Sequence, residues 1–179
     1  MKKIFSVLVF LTISQISFAG SLDYKGLEKI SKDNTFMDGE GIPYPDDKIT
    51  DKKARRDKPA QEATTLFRCL ATTEQDFAID RYPCSRFSLV ECKPLSGRKH
   101  QIRRHLKHIS HPIIGDAKHG KGNYNRYFKD NLQAGRLLLH AKKMQFVHPY
   151  SKDVTSVNAP FDVTFQNLFE RFDWLKFVD

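Results

Sequence analysis

The stretch SGRKHQIRRHLKHISHPIIGDAKHGKG, residues 96–122, decides how the rest of the chain is interpreted. It holds seven lysines and arginines, five of the chain's seven histidines and a single acidic residue, Asp116. A basic turn is followed by an amphipathic segment, a proline and a Gly-Asp turn. A basic run is commonly only a solvated surface, but this ordered arrangement favours a polyanion held in a fixed position.

The spacing of apolar residues predicts a helix inside this stretch. Ile102, Leu106 and Ile109 are four and three residues apart, so they share one helical face. Three basic side chains lie on the other faces: Arg103, Arg104 and Lys107. Pro112 is expected to end the helix.

Positive charge is concentrated in one part of the chain. The 179 residues have a formal net charge of +9, and the segment from Glu91 to Tyr150 holds 13 lysines and arginines against 3 acidic residues. Charge placed in this way favours a nucleic acid over an anionic membrane surface as the partner. A hydrophobic content of 40% and 14 phenylalanines indicate a packed core and not global disorder.

Cysteine usage and hydropathy narrow the class of protein. Cys69, Cys84 and Cys92 form neither a CxxC pair nor an even disulfide set, which is typical of core thiols in a reducing compartment. No run is long and apolar enough to predict a transmembrane helix.

Catalytic and metal-binding motifs of common types are absent from the sequence. It contains no G-x-S-x-G, no G-x-x-x-x-G-K-[ST] and no H-E-x-x-H. His105, His108 and His111 are three residues apart, a spacing that spreads side chains around a helix and argues against a metal site. The residues alone therefore predict a mostly β domain with a basic helix, suited to holding an RNA or DNA backbone.

The first twenty residues, MKKIFSVLVFLTISQISFAG, fit two interpretations. Two lysines, an apolar run from Ile4 to Ile13 and small residues before Gly20 form the pattern of a secretory signal peptide, cut after Ala19. Alternatively, Ile4 to Val9 is a partly alternating strand of a cytosolic fold. The local pattern favours the signal peptide, whereas a basic domain with an odd number of cysteines favours the strand.

Residues 21–59 differ in composition from the rest of the chain. Gly, Pro, Asp and Lys dominate pieces such as MDGEGIPYPDDK, and such a segment cannot bury enough apolar surface to order itself. We expect an exposed arm or a long insertion, with a short strand and turn in LDYKGLEKI at its head. Residues 60–179 then form the ordered domain.

Periodicity predicts the elements of the ordered part. ATTLFRCLAT (63–72) and RFSLVECKPL (86–95) alternate as half-buried strands do. RLLLHAKKMQFVHP (136–149) and DVTSVNAP (153–160) are two further strands joined by a turn. Residues 120–127, rich in Gly, Asn and Tyr, are expected to be a loop. The tail is predicted to be a helix with one core-packing face: Phe165, Leu168, Phe169, Phe172 and Leu175.

Two pieces of the central stretch carry a family resemblance. GRKHQIRRH (97–105) followed by HPIIGDAKHG (111–120) resembles G-R-x-H-Q-[IL]-R-x-H … H-P-I-x-G-D-x-x-[YH]-G, the signature of the RluA-type pseudouridine synthases. DKPAQEATTLFRCLAT (57–72) and the strand at 136–149 resemble the members of this family that act on tRNA. The resemblance covers most of Lys58 to Trp174.

The resemblance implies both a fold and a reaction. The fold is α+β, with a mixed, mainly antiparallel sheet flanked by helices, incomplete at the N-terminus. The reaction is isomerisation of a uridine in tRNA to pseudouridine, without a metal or an organic cofactor. In that family an Asp attacks the uridine, the glycosidic bond breaks, and the freed uracil rejoins through a carbon. The nucleotide is flipped into a pocket and stacked on an aromatic ring.

Site residues follow from the same motifs. Arg103 matches the arginine that pairs with this Asp and keeps it ionised. Residues 3–9 loosely fit the family's K-x-[YF]-x-A-x-V strand, which makes Phe5 the stacking ring, although Val7 departs from the pattern. Asp116 matches a different part of the signature and is expected to fix a turn by accepting backbone N–H bonds. RNA contact is predicted for Arg98, Lys99, His100, Gln101, Arg104, His105 and Lys107.

The family's nucleophile lies in an H-R-L-D-x-x-T-S-G segment that this sequence does not contain. Two explanations stay open: the chain is the C-terminal part of a longer enzyme, or it is a remnant fused to an unrelated leader. The alternative function is a non-catalytic RNA-binding module. A tRNA partner implies a cytoplasmic protein, whereas a working signal peptide in residues 1–19 implies export.

Overall fold

The computed structural model of the chain describes residues 4–12, 36–37 and 63–178. Within these ranges the strands are β1 (Ile4–Thr12), β2 (Phe36–Met37), β3 (Thr64–Gln75), β4 (Ser85–Pro94), β5 (Leu139–Val147) and β6 (Val154–Asn158). The helices are α1 (Gln101–His108), α2 (Gly122–Leu132) and α3 (Val163–Arg171), followed by a short 3-10 helix, Leu175–Phe177.

The strands form one sheet in the order β2-β3-β4-β1-β5-β6. Every pairing between the described strands is antiparallel, so the predicted α+β fold with a mainly antiparallel sheet and flanking helices is confirmed. Neighbours in sequence form two hairpins, β3–β4 and β5–β6. β1 lies between the hairpins, with Val9 opposite Val90 of β4 and Leu139 of β5.

The position of β1 bears on the two interpretations of the N-terminus. Residues 4–12 form the strand that the second interpretation predicts, and the strand continues past Val9 to Thr12. Cleavage after Ala19 would remove this central strand from the sheet. Export as such stays a prediction.

Alternation along β4 divides the core between the two faces of the sheet. Phe87 and Leu89 pack on one side, whereas Val90 and Cys92 pack on the other, because successive strand residues point to opposite faces. A register shift between Cys69 and Ala71 is a β-bulge in β3. Phe67 and Ala71 are four residues apart and would share a face of a regular strand, but with the bulge between them they pack on opposite faces.

We call the two sides the α1 face and the aromatic face. On the α1 face, the residues buried together are Phe67, Val90, Cys92, Leu106 and Ile113. On the aromatic face, α2, α3 and the tail bury a larger set, which includes Phe87, Leu89, Tyr124, Phe128, Phe165, Leu168, Phe169, Phe172 and Trp174. The predicted helix over the basic stretch is confirmed as α1, which ends before Pro112.

The predicted loop at residues 120–127 is wrong, because α2 begins at Gly122. Tyr124 and Phe128 are four residues apart and are 5% and 0% exposed on the aromatic face. Burial of these two rings stabilises a helix whose Gly and Asn residues have low intrinsic helix propensity.

The predicted tail helix is confirmed over α3, and Phe165, Leu168 and Phe169 are buried as expected. The helix ends at Arg171, however, so its periodicity does not continue to Leu175. That residue begins the 3-10 helix and is 48% exposed, which corrects the prediction that it joins the core.

Little of the predicted arm at 21–59 falls within the described residues. Phe36–Met37 form β2, which pairs with Thr65 and Thr64 at the edge of the sheet. LDYKGLEKI, at 22–30, lies outside the described residues. Among the helices described, none has the length and apolar character needed to cross a membrane.

Candidate nucleic-acid interface

Gln101 anchors the start of α1 to the sheet. Its amide nitrogen donates to the Thr64 carbonyl and to Thr65 Oγ1, both at 2.9 Å. Its amide oxygen accepts from Ser96 Oγ at 2.8 Å and from the Arg98 N–H at 3.1 Å. The side chain is 6% exposed, so these bonds satisfy a polar group that would otherwise be costly to bury.

His105 lies one turn along the same side of α1. Its Nδ1 is 3.0 Å from Thr65 Oγ1, and the residue is 5% exposed. Together, Gln101 and His105 therefore face the sheet. RNA contact is predicted for both side chains, and the structure places their polar groups against β3, with both residues buried; that contact stays a prediction.

Arg103 and Asp116 form a two-point ion pair beside α1. Arg103 Nε donates to Asp116 Oδ2 at 2.7 Å, and Arg103 Nη2 donates to Oδ1 at 2.8 Å. The Asp116 side chain is fully buried and that of Arg103 is 18% exposed. Matched guanidinium and carboxylate geometry makes such a pair strong. The two bonds use two of the five guanidinium N–H groups, so the other edge can bind a second acceptor.

The loop after Ile114 holds the Asp116 carboxylate in place. Its Oδ1 also accepts from the backbone N–H groups of Lys118 and His119 at 2.9 and 2.8 Å, which confirms the predicted turn-fixing role. Asn125 accepts from the Gly115 N–H and donates to the Asp116 carbonyl. Gly115 has φ 77°, and a Cβ there would lie 1.8 Å from the Arg136 carbonyl oxygen. No other residue fits this turn.

The charges of the pair stabilise each other. Burial by itself raises the pKa of Asp116, but hydrogen bonds from Arg103 and from the two backbone N–H groups outweigh it and leave the pKa below its usual value. The hydrogen bond to Asp116 raises the pKa of Arg103. Both groups are therefore ionised at neutral pH. The sequence predicted a different partner for Arg103, an upstream Asp, and that pairing stays a prediction.

The remaining predicted contacts surround this pair. Arg98, Lys99 and Lys107 are exposed, whereas His100 and Arg104 are half-buried. Lys118 and His119, in the Asp116 loop, belong to the same basic region: Lys118 lowers the pKa of His100, and the charges of Arg103 and Lys107 lower the pKa of His119. His119 matches the [YH] position of the family signature G-D-x-x-[YH]-G, which was the available signal for it. The spacing of the histidines in the sequence did not predict a role for His119.

For Phe5, the structure describes the backbone position only. It lies in β1 opposite Met144 of β5, and its side chain is outside the described part of the structure. Its role in base stacking stays a prediction. Within the ranges that the structure describes, no group of three His, Cys, Asp or Glu side chains is arranged to hold a metal ion.

Comparison with known proteins assigns the chain to a family. The model of the RNA pseudouridylate synthase family matches residues 3–108, more than half of the chain. tRNA pseudouridine synthase C of Vibrio vulnificus is 48% identical over 128 residues, which cover 72% of this chain and 52% of that protein. The protein of the same name from Salmonella typhimurium is 44% identical over 142 residues, which cover 77% of this chain and 55% of that protein. The chain thus spans about half the length of the curated relatives it matches.

Two solved human structures have a similar fold. RNA pseudouridylate synthase domain containing 4 superposes with a TM-score of 0.56 at 19% identity, over 96% of this chain and 62% of that one. RNA pseudouridylate synthase domain containing 1 gives a TM-score of 0.52 at 20% identity, over 89% and 55%. At this identity the likeness supports the fold alone. With the family match and the curated relatives, it confirms the resemblance read from the motifs: the chain belongs to the RNA pseudouridylate synthase family.

Proposed function

We propose that this chain supplies the Arg103-bearing, RNA-contacting part of an enzyme that isomerises a uridine in tRNA to pseudouridine. The observation that carries the proposal is the Arg103–Asp116 pair, which fixes a guanidinium within a basic region. Membership of the family and the names of the relatives supply the reaction and the tRNA substrate. No metal or organic cofactor is required for this chemistry. A tRNA substrate also places the protein in the cytoplasm.

Asp116 acts in this proposal as a positioning residue. Its Oδ1 accepts three hydrogen bonds and its Oδ2 accepts one, and the side chain is fully buried. A carboxylate held in this way is poorly placed to attack a sugar. It can, however, hold one edge of the Arg103 guanidinium and so direct the other edge outward.

The outward edge of Arg103 is suited to a second carboxylate. In the family mechanism that carboxylate belongs to the nucleophilic Asp of the H-R-L-D segment. A guanidinium beside it lowers the pKa of the Asp and keeps it ionised for attack on the flipped uridine. The 179 residues do not contain this segment, so in this proposal the nucleophile is supplied from outside them.

The direct test measures pseudouridine in a tRNA transcript. We expect none from the 179-residue chain alone. Joined to an H-R-L-D-bearing segment of a family member, the chain should form pseudouridine, and Arg103→Ala in the joined protein should lower the rate about 100-fold or more. Arg171→Ala, an exposed arginine at the end of α3, is the matched control and should leave the rate unchanged. Pseudouridine formed by the chain alone would contradict the need for the added segment.

A second candidate is a non-catalytic RNA-binding module, favoured by the exposed basic residues around α1. It predicts tRNA binding that weakens as salt rises, because phosphate contacts release counterions. Arg104→Ala should reduce the slope of log affinity against log salt by about 1. Strong tRNA binding by the joined protein with no pseudouridine would favour this module. Recovery of the protein from an exported fraction with Gly20 as its first residue would contradict both candidates.

A further inference from the structure

Two histidines from different elements meet at the N-terminal end of α1. His100 directly precedes the helix, and His119 lies in the loop that holds Asp116. His100 Nδ1 and His119 Nε2 are 3.5 Å apart, and the ring centroids are 5.5 Å apart at an interplanar angle of 70°. Both residues are half-buried, so the pair is anchored in the fold and still accessible to solvent.

Backbone bonds fix where the two rings lie. His100 has φ 57°, in the left-handed region, and its carbonyl accepts from the Arg104 N–H at 2.9 Å. The His119 N–H donates to Asp116 Oδ1, and Gly120 N–H donates to the Asp116 carbonyl. The same carboxylate that positions Arg103 therefore also positions the His119 backbone. The two rings are adjacent because these bonds hold the start of α1 and the Asp116 loop side by side.

The surroundings of the pair are strongly positive. Burial lowers the pKa of His100, and nearby cations lower it further. Those cations are Lys99, Arg103, Arg104 and Lys118. Burial also lowers the pKa of His119; the charge of Asp116 opposes this, while Arg103, His100 and Lys107 reinforce it. Both rings are therefore neutral at pH 7, held in a region that repels a further proton.

The end of the helix adds to this field. α1 has no acidic residue in its first turn, and the side chain of His100, the residue before it, makes no capping bond. The Gln101 N–H donates to the Arg98 carbonyl at 3.1 Å. The N-terminus of a helix carries partial positive charge, which adds to the field of the nearby cations. Paired imidazoles, fixed cations and the positive end of a helix therefore lie together.

We propose that His100 and His119 form an anion site that binds a phosphodiester group of the RNA backbone and takes up protons on both rings as it does so. With both rings neutral, the N–H of one ring can donate to the lone pair of the other. With both rings protonated, two N–H groups face each other and repel, and an oxyanion accepting from both relieves the repulsion. The assignment of the anion to RNA rests on the proposed function; the anion site rests on the geometry alone.

Proton uptake makes the anion affinity of the site depend on pH. An anion at the pair favours the protonated rings and raises their pKa, so by linkage the affinity for the anion rises as the pH falls. Lysine and arginine keep their charge between pH 5.5 and 7.5, as their ordinary pKa values of about 10 and above require. A dependence on pH in this range therefore distinguishes histidines from the lysines and arginines of the basic surface. Substitution of His119 then tests whether this pair is its source.

The first experiment follows the histidine rings of the full chain by NMR between pH 5 and 8. Sulfate is the probe, because it is a tetrahedral oxyanion whose charge is constant in this range, and chloride at equal ionic strength is the reference. We expect sulfate to raise the pKa of His100 and His119 by about 0.5 to 1. His148, in the hairpin between β5 and β6, should not respond. Equal pKa values in sulfate and chloride would show that the pair is not an anion site.

The second experiment measures tRNA affinity against pH at constant ionic strength. For the unaltered chain we expect affinity to rise about three- to tenfold from pH 7.5 to pH 6. His119→Gln should flatten this rise, whereas His119→Lys should bind well at both pH values with little dependence on pH. His148→Gln is the matched control and should keep the full rise. A flat profile for the unaltered chain would exclude the RNA role of the pair.

The two experiments separate this inference from the proposed function. If sulfate raises both pKa values but tRNA does not bind at any pH, the anion site stands and the proposed function fails. If tRNA binds but the pKa values of His100 and His119 are equal in sulfate and chloride, the proposed function stands and this inference fails. The NMR titration uses the unaltered chain, so its result does not depend on the folding of any variant.

Discussion

The two faces of the sheet are stabilised in different ways. On the aromatic face, the Phe87 ring centroid lies 5.1 Å from that of Phe128 and 5.7 Å from that of Phe172, within a continuous set of buried rings. On the α1 face, a smaller apolar cluster lies beside the Arg103–Asp116 pair. The stabilisation gained from buried rings depends on the apolar surface and volume that are buried. The stabilisation gained from the ion pair depends on the direction of its hydrogen bonds and on its charges. The aromatic face is thus held by apolar packing, whereas the α1 face combines apolar packing with a directed ion pair.

The largest expected effect is on the aromatic face. Phe128 is 0% exposed, so Phe128→Ala should lower the free energy of unfolding by about 3–5 kcal/mol through lost burial and the cavity left behind. Urea unfolding at pH 5 and pH 8 should give the same loss, because no titrating group is removed. Phe177→Ala, at a ring 43% exposed, is the control and should change stability by less than about 1 kcal/mol. Equal effects of the two substitutions would contradict the division between the faces.

A somewhat smaller effect is expected on the α1 face. Asp116→Asn keeps the shape but removes the charge opposite Arg103, and should cost about 2–4 kcal/mol, since breaking a buried pair is costly and Arg103 is partly exposed. Asp173→Asn, whose side chain is 87% exposed beside Lys176, is the matched control and should cost less than about 0.5 kcal/mol. Urea unfolding at pH 7 measures both. A cost below about 1 kcal/mol for Asp116→Asn would mean that the pair contributes little to folding.

The contributions of the two faces to the free energy of unfolding should also differ in how they depend on pH. The pKa of Asp116 is lower in the folded chain than its ordinary value of 3.8. Its contribution to stability is therefore fully present above that value and is lost as the pH falls through the folded pKa. The difference in unfolding free energy between the unaltered chain and Asp116→Asn should shrink by up to about 1 kcal/mol between pH 6 and pH 3. The loss of unfolding free energy caused by Phe128→Ala should stay constant over this pH range. If that loss became smaller as well, the two faces would not differ in their dependence on pH.

The smallest effect concerns a polar group on the aromatic face. Asp162 caps α3 by accepting from the Phe165 N–H at 3.0 Å and also pairs with Arg136. Asp162→Ala should cost about 1 kcal/mol, because the first turn loses its acceptor. Asp162→Ser, which can still cap, should recover most of this loss in thermal unfolding. If serine were no better than alanine, the Arg136 pair and not the cap would be the source of the stabilisation.

The fold was predictable where its pattern is local. The strand predicted at 63–72 is observed at Thr64–Gln75, and the strand predicted at 86–95 is observed at Ser85–Pro94. α2 was missed because its Gly and Asn residues resemble a loop and its stability comes from packing on a distant sheet. The spacing of four between Tyr124 and Phe128 was the available signal.

The candidate site was less predictable than the fold. Arg103 and Asp116 are separated by the end of α1, a proline and a turn with a left-handed glycine, so no periodicity relates them. Gln101 and His105 belong to a polar run that reads as exposed, yet their spacing of four directs both toward Thr65. Motif resemblance identified Arg103, but its partner required the three-dimensional fold.

The place of β1 in the sheet has a consequence for how the chain is made. Val9 pairs with Val90 and with Leu139, so β1 can pair only after residues about 80 and 130 positions further along the chain have been synthesised. Both hairpins can close locally before this happens, and each then exposes the strand edge that β1 covers in the complete sheet: β4 in one and β5 in the other. Until β1 joins them, these edges are free to pair with a neighbouring polypeptide, which makes the interval before β1 docks the time of greatest risk of aggregation.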